Sequence, residues 1–367
     1  MPSLREAQLR HAIHYVDFAY NANQLYQQGG EQIKRAIDLF DMEWQNIQTG
    51  NEWAAEKSSG DDLAATVCSD YLKVICCFLE LRQHPRQWII WLEIALAAAR
   101  RLRLRVAEAS HLGNLGNAYA FLGDVKLAFD YYEQQLSISR EIGDRRDEAG
   151  GLFNLGTIYS EQGLYQRAIE LLNQAFRIQH EIGNRRDEAM TLSNLGSIYA
   201  DMNQPQKAIE YSNQALAIAR KIRDSRIESI ALGNLGVAYR ILRYSDLAKH
   251  CYEQLLIIAY KIGDRRGESY AFVNLGELHN ESGEFNTALE YYELALVIIR
   301  ENGDHRAEGT VLWNKSLVFD KLGNRSQAIA LAETSLSIRE QVRDPKTDKV
   351  RKALAIWGNR GRNYLCS

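Results

Sequence analysis

The sequence contains only four prolines among 367 residues. Long stretches are therefore free to form helices, because proline removes a backbone donor and breaks a helix interior. There is also no excess of basic residues, since the formal net charge is −3. We therefore expect neither nucleic acid nor a membrane surface as the main partner, and we expect a protein or peptide instead.

The five cysteines form no CxxC pair, and two of them, Cys76 and Cys77, are adjacent within an apolar run. They are interpreted as reduced thiols that act as small hydrophobic residues. No apolar run approaches the roughly 18 residues that a membrane span needs, and the first twenty residues lack the apolar core of a signal peptide. These absences predict a cytoplasmic protein.

Motifs that carry catalytic chemistry are missing from the sequence. There is no glycine-rich phosphate loop of the GxxxxGK[ST] type, no HExxH and no GxSxG. The eight histidines follow no common spacing. The sequence therefore predicts no catalytic residues, no metal site and no cofactor, and we do not expect an enzyme.

What the chain does contain is a repeat of forty residues. The triplet Asn-Leu-Gly occurs five times at this interval, at 114–116, 154–156, 194–196, 234–236 and 274–276. A sixth copy is degenerate and reads Asn314-Lys315-Ser316. One supersecondary unit has been copied, and such units bury their apolar faces by stacking on one another.

Each unit is predicted to be a pair of helices, A and B. In the second clear copy, Asp144 is a predicted N-cap for helix A, and Gly163 is predicted to end it. Helix B is expected from about Gln166 to near Gly183. The small residues Gly156 and Ala168 mark where the two helix axes approach each other closely, with Tyr159 filling the space beside them.

This pattern resembles the tetratricopeptide-repeat family. The residues that carry the likeness in the second copy are Leu155, Gly156, Tyr159, Ala168, Leu172 and Ala175. The forty-residue length is similar to the long-repeat subclass found in spindle-orientation adaptors, kinesin light chains and bacterial peptide sensors. The resemblance implies an all-α solenoid, wound as a right-handed superhelix, with the A helices lining a concave groove.

The ends of the chain depart from the clear repeats at about 105–345. A worn repeat is predicted at 62–104, so that about seven units span 61–345. Residues 1–60 are predicted to form a separate helical region with helices up to about Tyr26, over 33–47 and around Trp53, and with a break at Gly29-Gly30. Residues 346–367 are predicted to form a capping helix and tail. The sequences at both ends, such as Asp41-Met42-Glu43-Trp44 and Ala355-Ile356-Trp357, resemble those of the repeat arm of bacterial signalling ATPases of the nucleotide-oligomerisation-receptor type. The phosphate loop of those ATPases is missing.

The first candidate site is a column of asparagines in the A helices, Asn114, Asn154, Asn194, Asn234, Asn274 and Asn314. Asparagine is a mediocre helix former, so its recurrence in mid-helix needs a reason. Its side-chain amide both donates and accepts, which matches the backbone of an extended peptide. The family resemblance implies that the side chains of these residues bind the main chain of a ligand. The alternative is that each amide bonds to a neighbouring repeat and sets the stacking angle.

The second candidate is a column of arginines in the first turn of helix A, Arg146, Arg186, Arg226, Arg266 and Arg306. An arginine fork binds a carboxylate bidentately, whereas the alternative is pairing with acidic residues of the same turn. The variable positions of the A helices complete the site. Apolar Val237 and Ile241 lie between acidic Asp201, Glu277 and Glu281, which predicts a ligand with an apolar centre and some basic character.

Two functions follow from these residues. The first is a scaffold, or the sensor arm of a bacterial signalling system, that holds an extended segment of a protein or peptide in the groove. The second is a peptide-regulated effector whose residues 1–60 act on a signalling partner, an architecture that resembles the quorum-sensing peptide receptors of Gram-positive bacteria. The oligomeric state is left open.

Overall fold

The computed structural model describes residues 3–27, 31–82, 85–342, 344 and 346–363. Within these ranges the chain forms eighteen α-helices and no strand, so the predicted all-α class is confirmed. The predicted glycine break at 29–30 and the tail at 364–367, with Cys366, lie outside the described residues.

Three helices precede the repeats: α1 (Leu4–Gln27), α2 (Glu31–Met42) and α3 (Trp44–Lys57). The helix expected over 33–47 is therefore two helices, because Glu43 leaves helical geometry with φ −106° and ψ 8°. Because of this turn, the aromatic ring before it and the ring after it pack against different partners. Phe40 stacks on Phe78 with ring centroids 4.2 Å apart, and Trp44 lies 6.1 Å from Trp91.

Helices α4 (Asp62–Arg82) and α5 (Pro85–Arg101) lie in the segment where the worn repeat is predicted. Their apolar residues belong to one hydrophobic core that also includes residues of α1, α2, α3 and α6. The Tyr71 hydroxyl, fully buried, donates to the carbonyl of Ala12 across this core at 2.9 Å. The N-terminal helices therefore cover the apolar side of the first repeats.

Six further helix pairs follow. The A helices are α6 (Arg105–Phe121), α8 (Arg145–Glu161), α10 (Arg185–Asp201), α12 (Ser225–Ile241), α14 (Arg265–Glu281) and α16 (His305–Lys321). The B helices are α7 (Val125–Ile142), α9 (Tyr165–Glu181), α11 (Pro205–Ile222), α13 (Ser245–Ile262), α15 (Phe285–Glu301) and α17 (Arg325–Gln341). The last helix, α18 (Thr347–Asn363), packs on α17, and its Trp357 lies 5.9 Å from Trp313.

The predicted boundaries of α8 and α9 agree with the structure to within two residues. The Asp144 carboxylate accepts hydrogen bonds from the backbone N–H groups of Arg146 and Asp147, at 3.1 and 3.0 Å. Helix α8 ends before Gly163, whose φ of +76° lies in the left-handed region that favours glycine. The N-cap therefore marks where helix α8 begins, and the glycine turn marks where it ends.

The chain divides into two compact units, and the division falls within the third clear repeat. The first unit comprises the chain up to Ile198 together with Ala217–Asp224, and the second comprises Tyr199–Leu216 and the chain from Ser225 onward. The contacts described below lie inside one unit or the other.

Helix B packs onto a glycine of helix A in the repeats that contain Gly116, Gly156, Gly236 and Gly276. A Cβ atom at Gly156 would stand 2.8 Å from Leu172 Cγ, and one at Gly276 would stand 2.6 Å from Tyr292 Cε1. The predicted close approach is therefore present, but helix B supplies the covering side chain. Tyr159, expected in this space, is half-buried and lies with its ring edge-on to Phe129 of the preceding B helix.

A column of glutamates joins consecutive repeats. Glu148, near the start of α8, pairs with Arg145 of its own helix at 2.7 Å and with Arg140 of the preceding B helix at 3.1 Å. Glu108 pairs in the same way with Arg105 and Arg100. Glu188 and Glu268 pair with the arginine of their own helix, Arg185 and Arg265, and Glu308 pairs with Arg300 of the preceding B helix. Because the carboxylate of Glu148 is only 12% exposed, it is a fixed junction between repeats and not a solvated surface charge.

The tyrosines that cover these glycines differ in whether their hydroxyl groups have a hydrogen-bond partner. In the first unit, the Tyr132 hydroxyl donates to Asn117 Oδ1 at 2.7 Å. In the second unit, Tyr252 occupies the equivalent position, but the residue corresponding to Asn117 is Val237, which offers no acceptor. The Tyr252 hydroxyl is buried, and no described residue bonds to it in hydrogen-bonding geometry.

This difference predicts opposite outcomes for one substitution at two equivalent sites. Tyr132→Phe removes a made hydrogen bond and should lower the free energy of unfolding by about 1 kcal/mol. Tyr252→Phe removes an unpartnered hydroxyl and should change it by less than about 0.5 kcal/mol, or increase it. Denaturant titration of both variants checks this, and equal losses would contradict the assigned hydrogen bonds.

The glutamate junction predicts a second contrast. Glu148→Gln should cost about 1 kcal/mol of stability, a modest value because both arginine partners are about half exposed. Glu170→Gln is the matched control, since its pair with Arg167 lies within one helix and is exposed, and it should cost under about 0.5 kcal/mol. Thermal melts followed by circular dichroism compare the two, and a control that loses as much as Glu148→Gln would refute the junction.

Candidate functional site

The asparagine column lies where successive A helices meet. In the first unit, Asn154 Nδ2 donates to Asn117 Oδ1 at 3.4 Å, and Asn194 Nδ2 donates to Thr157 Oγ1 at 3.3 Å. In the second unit, Asn314 Nδ2 donates to Glu277 Oε1 at 2.8 Å. In each case the acceptor stands three residues after the asparagine of the preceding repeat, so the amides bridge neighbouring A helices.

Asn274 differs from the rest of the column. The acceptor position in the preceding A helix is Val237, which cannot accept a hydrogen bond, and Asn274 Nδ2 donates instead to the carbonyl of Tyr270 in its own helix, at 2.8 Å. Asn274 is 5% exposed, whereas the other five asparagines are half-buried. The row of amides is therefore interrupted at the fifth clear repeat.

At the other end of the column, Asn114 Nδ2 donates to the Sγ atom of Cys76 in α4 at 3.2 Å. Asn234 is half-buried in α12 and also has an interaction partner. The bridging contacts of the column use one N–H of each amide. The amide oxygen and the second N–H are the atoms that a ligand backbone would use.

The arginines divide into two groups. Arg145, Arg185 and Arg265 are held in the glutamate junctions described above. In the column singled out from the sequence, Arg186 Nε donates to Asp224 at 2.9 Å, and Arg226 also has a partner.

Arg146, Arg266 and Arg306 are exposed in the first turn of their helices. Eight residues separate Arg146 from Asn154, which is about 12 Å along the helix axis. These arginines therefore lie near one end of the A helices, about two turns from the amides.

The predicted apolar positions Val237 and Ile241 are both half-buried on α12. Val237 packs against the buried cluster that contains Tyr252 and Leu275. Two of the three acidic residues expected to flank them are paired, because Arg240 pairs with Glu277 at 3.0 Å and with Glu281 at 2.6 Å. Part of the negative charge predicted for this face is thus neutralised within the chain.

Sequence reasoning missed Arg240. A signal was present, because its column otherwise contains small or uncharged residues in four copies and one aspartate, namely Ala120, Ser160, Ala200, Asn280 and Asp320. An arginine in such a column is a local departure from the repeat. Its side chain is 22% exposed, so it is held against the protein and does not extend into solvent.

Buried reactive groups offer no catalytic arrangement in the described ranges. Ser69 Oγ lies 2.9 Å from His111 Nε2, but both residues are fully buried, and burial lowers the pKa of His111 to about 3. Cys68, Cys76 and Cys251 are buried, as expected for small hydrophobic residues, and burial raises the pKa of Cys68 to about 12. The Cys77 side chain lies outside the described residues.

No three or more His, Cys, Asp or Glu side chains among the described residues are grouped so that they could hold a metal ion. In that part of the chain, every helix is too short or too polar to cross a bilayer.

Solved structures with a similar fold include two Rap proteins. A Rap protein complexed with Competence and Sporulation Factor matches with a TM-score of 0.62 at 13% identity, covering 96% of this chain and 98% of that one. The apo form of RapI matches with a TM-score of 0.58 at 17% identity, covering 73% and 96%. BtubC from P. vanneervenii matches with a TM-score of 0.50 at 23% identity, covering 60% and 92%. At these identities the likeness shows the fold alone.

No curated protein matches the sequence significantly. The tetratricopeptide-repeat family matches residues 91–181, 187–261 and 268–341, which together make up more than half of the chain. These segments coincide with the helix pairs of the repeats and with the second helix of the worn one. The chain is therefore a helical-repeat scaffold for protein interaction, and it belongs to the tetratricopeptide-repeat family.

Proposed function

We propose that this protein holds an extended segment of a partner protein or peptide against its A helices, with the asparagine column as the main-chain contact. The single observation that carries the proposal is the regular placement of Asn154, Asn194 and Asn314 at the junctions between A helices. Each amide is oriented by one hydrogen bond to its neighbour. An amide oriented in advance loses little side-chain entropy when it binds.

The spacing of the repeats suits an extended ligand. Packed helices lie about 8–10 Å apart, and an extended chain advances about 3.3 Å per residue. One amide per repeat therefore meets roughly every third residue of the ligand. Such a row would bind peptide backbone with little regard for the ligand side chains, and the side chains between the rungs would select among sequences.

One of the similar structures gives this proposal a precedent. The Rap protein was solved with Competence and Sporulation Factor, and this chain shares its fold over nearly its whole length. We propose a comparable binding role here, as the sensor arm or scaffold of a bacterial signalling system, because the ends of the chain resemble those of bacterial signalling ATPases. The inward turn of Asn274 limits the proposed row to Asn114, Asn154, Asn194, Asn234 and Asn314.

The exposed arginines extend the proposal to ligand side chains. Arg146 and Arg266 present free-standing guanidinium groups near one end of the A helices, where they would bind ligand carboxylates. Arg186 and Arg226 already have partners, so we assign them a weaker part in binding.

The effector alternative remains a prediction for α1–α3. These helices share a core with the first repeats, so deleting residues 1–60 would expose Phe78 and Tyr71 and would confuse loss of output with unfolding. Substitution of the exposed apolar residues Ile13 and Tyr20 on α1 is the cleaner test of a contact with a signalling partner.

The binding role of the column can be separated from its structural role with two variants. Asn194→Ala removes both the amide and its bond to Thr157, whereas Thr157→Val removes the bond but keeps the amide. Both variants should lose about 1 kcal/mol of stability. Asn194→Ala should weaken binding by about tenfold, because it lacks the group that contacts ligand backbone. Thr157→Val should weaken it less, because it loses only the bond that orients the amide.

The probe is a fluorescein-labelled 12-residue peptide selected against the wild-type protein from a random displayed library, with binding followed by fluorescence anisotropy. Asn154→Ala, Asn194→Ala and Asn234→Ala combined should abolish binding while the helical circular-dichroism signal persists. The control is Asn173→Ala, since Asn173 lies in a B helix and donates to the Ile169 carbonyl of its own helix. If Thr157→Val and Asn194→Ala bind the peptide with equal affinity, the asparagine column contributes only to helix packing and not to binding.

A further inference from the structure

We infer that the cluster around Arg240 in the second unit is a subsite that selects a positively charged side chain of the bound segment. This inference rests on the proposed function and adds the ligand chemistry to it. The cluster comprises Arg240, Glu277 and Glu281, together with the hydroxyl groups of Tyr252 and Tyr292, and it is called the Arg240 cluster below.

The charges of the Arg240 cluster do not balance. Arg240 places one nitrogen 3.0 Å from Glu277 and another 2.6 Å from Glu281. Both oxygens of Glu277 already have a partner, because the second oxygen accepts from Asn314 at 2.8 Å. One guanidinium therefore serves two carboxylates, and one negative charge is left over.

The excess charge is open to a ligand at Glu281. This residue is the last of α14, and its side chain is 47% exposed, compared with 28% for Glu277. Lys321 donates to the neutral amide of Asn280 at 2.9 Å, and it forms no ion pair with Glu281 within 4.0 Å. The favoured ligand group at Glu281 is therefore a cation and not a carboxylate.

Three buried polar atoms beneath the cluster are a second, independent indication of a ligand site. The hydroxyls of Tyr252 and Tyr292 and the Nε atom of Arg240 are buried, and none of the three has a partner in good hydrogen-bonding geometry among the described residues. The side chain of Arg240 lies beside the Tyr252 hydroxyl, and that of Asn280 lies beside the Tyr292 hydroxyl. Both tyrosines are fully buried. Arg240 and Glu277 lie close enough to both hydroxyls to influence the pKa of each tyrosine, which burial raises.

Buried polar groups without a well-placed hydrogen-bond partner are unfavourable, so they need a physical explanation. A ligand cation that pairs with Glu281 would release one arm of Arg240, and the guanidinium would then be free to turn towards the two hydroxyls. A buried water molecule would satisfy the same groups without any ligand. The two explanations differ in whether binding depends on ligand charge.

The surroundings of the cluster suit the stem of a long basic side chain. Val237 and Ile241 are half-buried on α12, one of them three residues and the other one residue from Arg240. Tyr270 is 43% exposed, and its ring lies over Gly233, where a Cβ atom would meet Tyr270 Cε1 at 2.9 Å. Apolar side chains pack against the methylenes of lysine or arginine, and an exposed tyrosine ring attracts the cation.

The test uses displayed random 12-residue peptides, selected in parallel against the wild-type protein and against Glu281→Gln. We expect lysine or arginine to be enriched at one position, next to an apolar residue, with the wild type only. A selected peptide in which this residue is replaced by glutamine should bind the wild type about tenfold more weakly. The same pair of peptides should differ less than twofold on Glu281→Gln.

Glu161→Gln is the matched control, because Glu161 occupies the same column in the first unit without an arginine beside it. It should leave the basic preference unchanged. A measurement on the unmodified protein supports the test: raising the salt concentration from 0.05 to 0.5 M should erase most of the advantage of the basic peptide, because screening shortens the range of charge pairing.

The outcomes separate the two proposals. If no peptide binds the wild type, the proposed function fails. If peptides bind but basic residues are not enriched, or if Glu281→Gln keeps the preference, only the Arg240 cluster loses its role and buried water explains the hydroxyls. Enrichment of acidic residues that disappears in Arg240→Gln would reverse the sign of the inference and overturn it.

Discussion

The structure depends on the close approach of helices A and B at one glycine in the clear repeats, such as Gly116, Gly156, Gly236 and Gly276. A side chain there would collide with the helix-B residue that covers it, as Leu172 covers Gly156 and Tyr292 covers Gly276. This contact sets the distance between helices, and the glutamate junctions then fix one repeat against the next. The asparagines stand at regular intervals only because both constraints recur every forty residues.

Much of this was predictable because the repeat reveals its own boundaries. The cap at Asp144 and the turn at Gly163 follow from residue chemistry alone, and both are present. The break at Glu43 was not predictable, since no proline or glycine marks it. It depends on where the rings of Phe40 and Trp44 find partners, and those partners are distant in sequence.

The site shows the same limit. That an amide column recurs is visible in the sequence, but the identity of the acceptor for each amide is not. The relation appears only when A helices are placed side by side, and it then explains why Val237 makes Asn274 turn inward. The departure at Arg240 was visible in its column, yet its two carboxylate partners, one of them forty-one residues later, required the fold.

The central claim is that the asparagine amides touch the ligand. Selective ¹⁵N labelling of asparagine, with the side-chain signals followed by nuclear magnetic resonance during titration with a selected peptide, measures this directly. The account predicts that the Nδ2 signals of Asn154, Asn194 and Asn314 shift, and that those of buried Asn274 and of Asn173 in helix B do not. Saturable binding that leaves the signals of Asn154, Asn194 and Asn314 unmoved would contradict it.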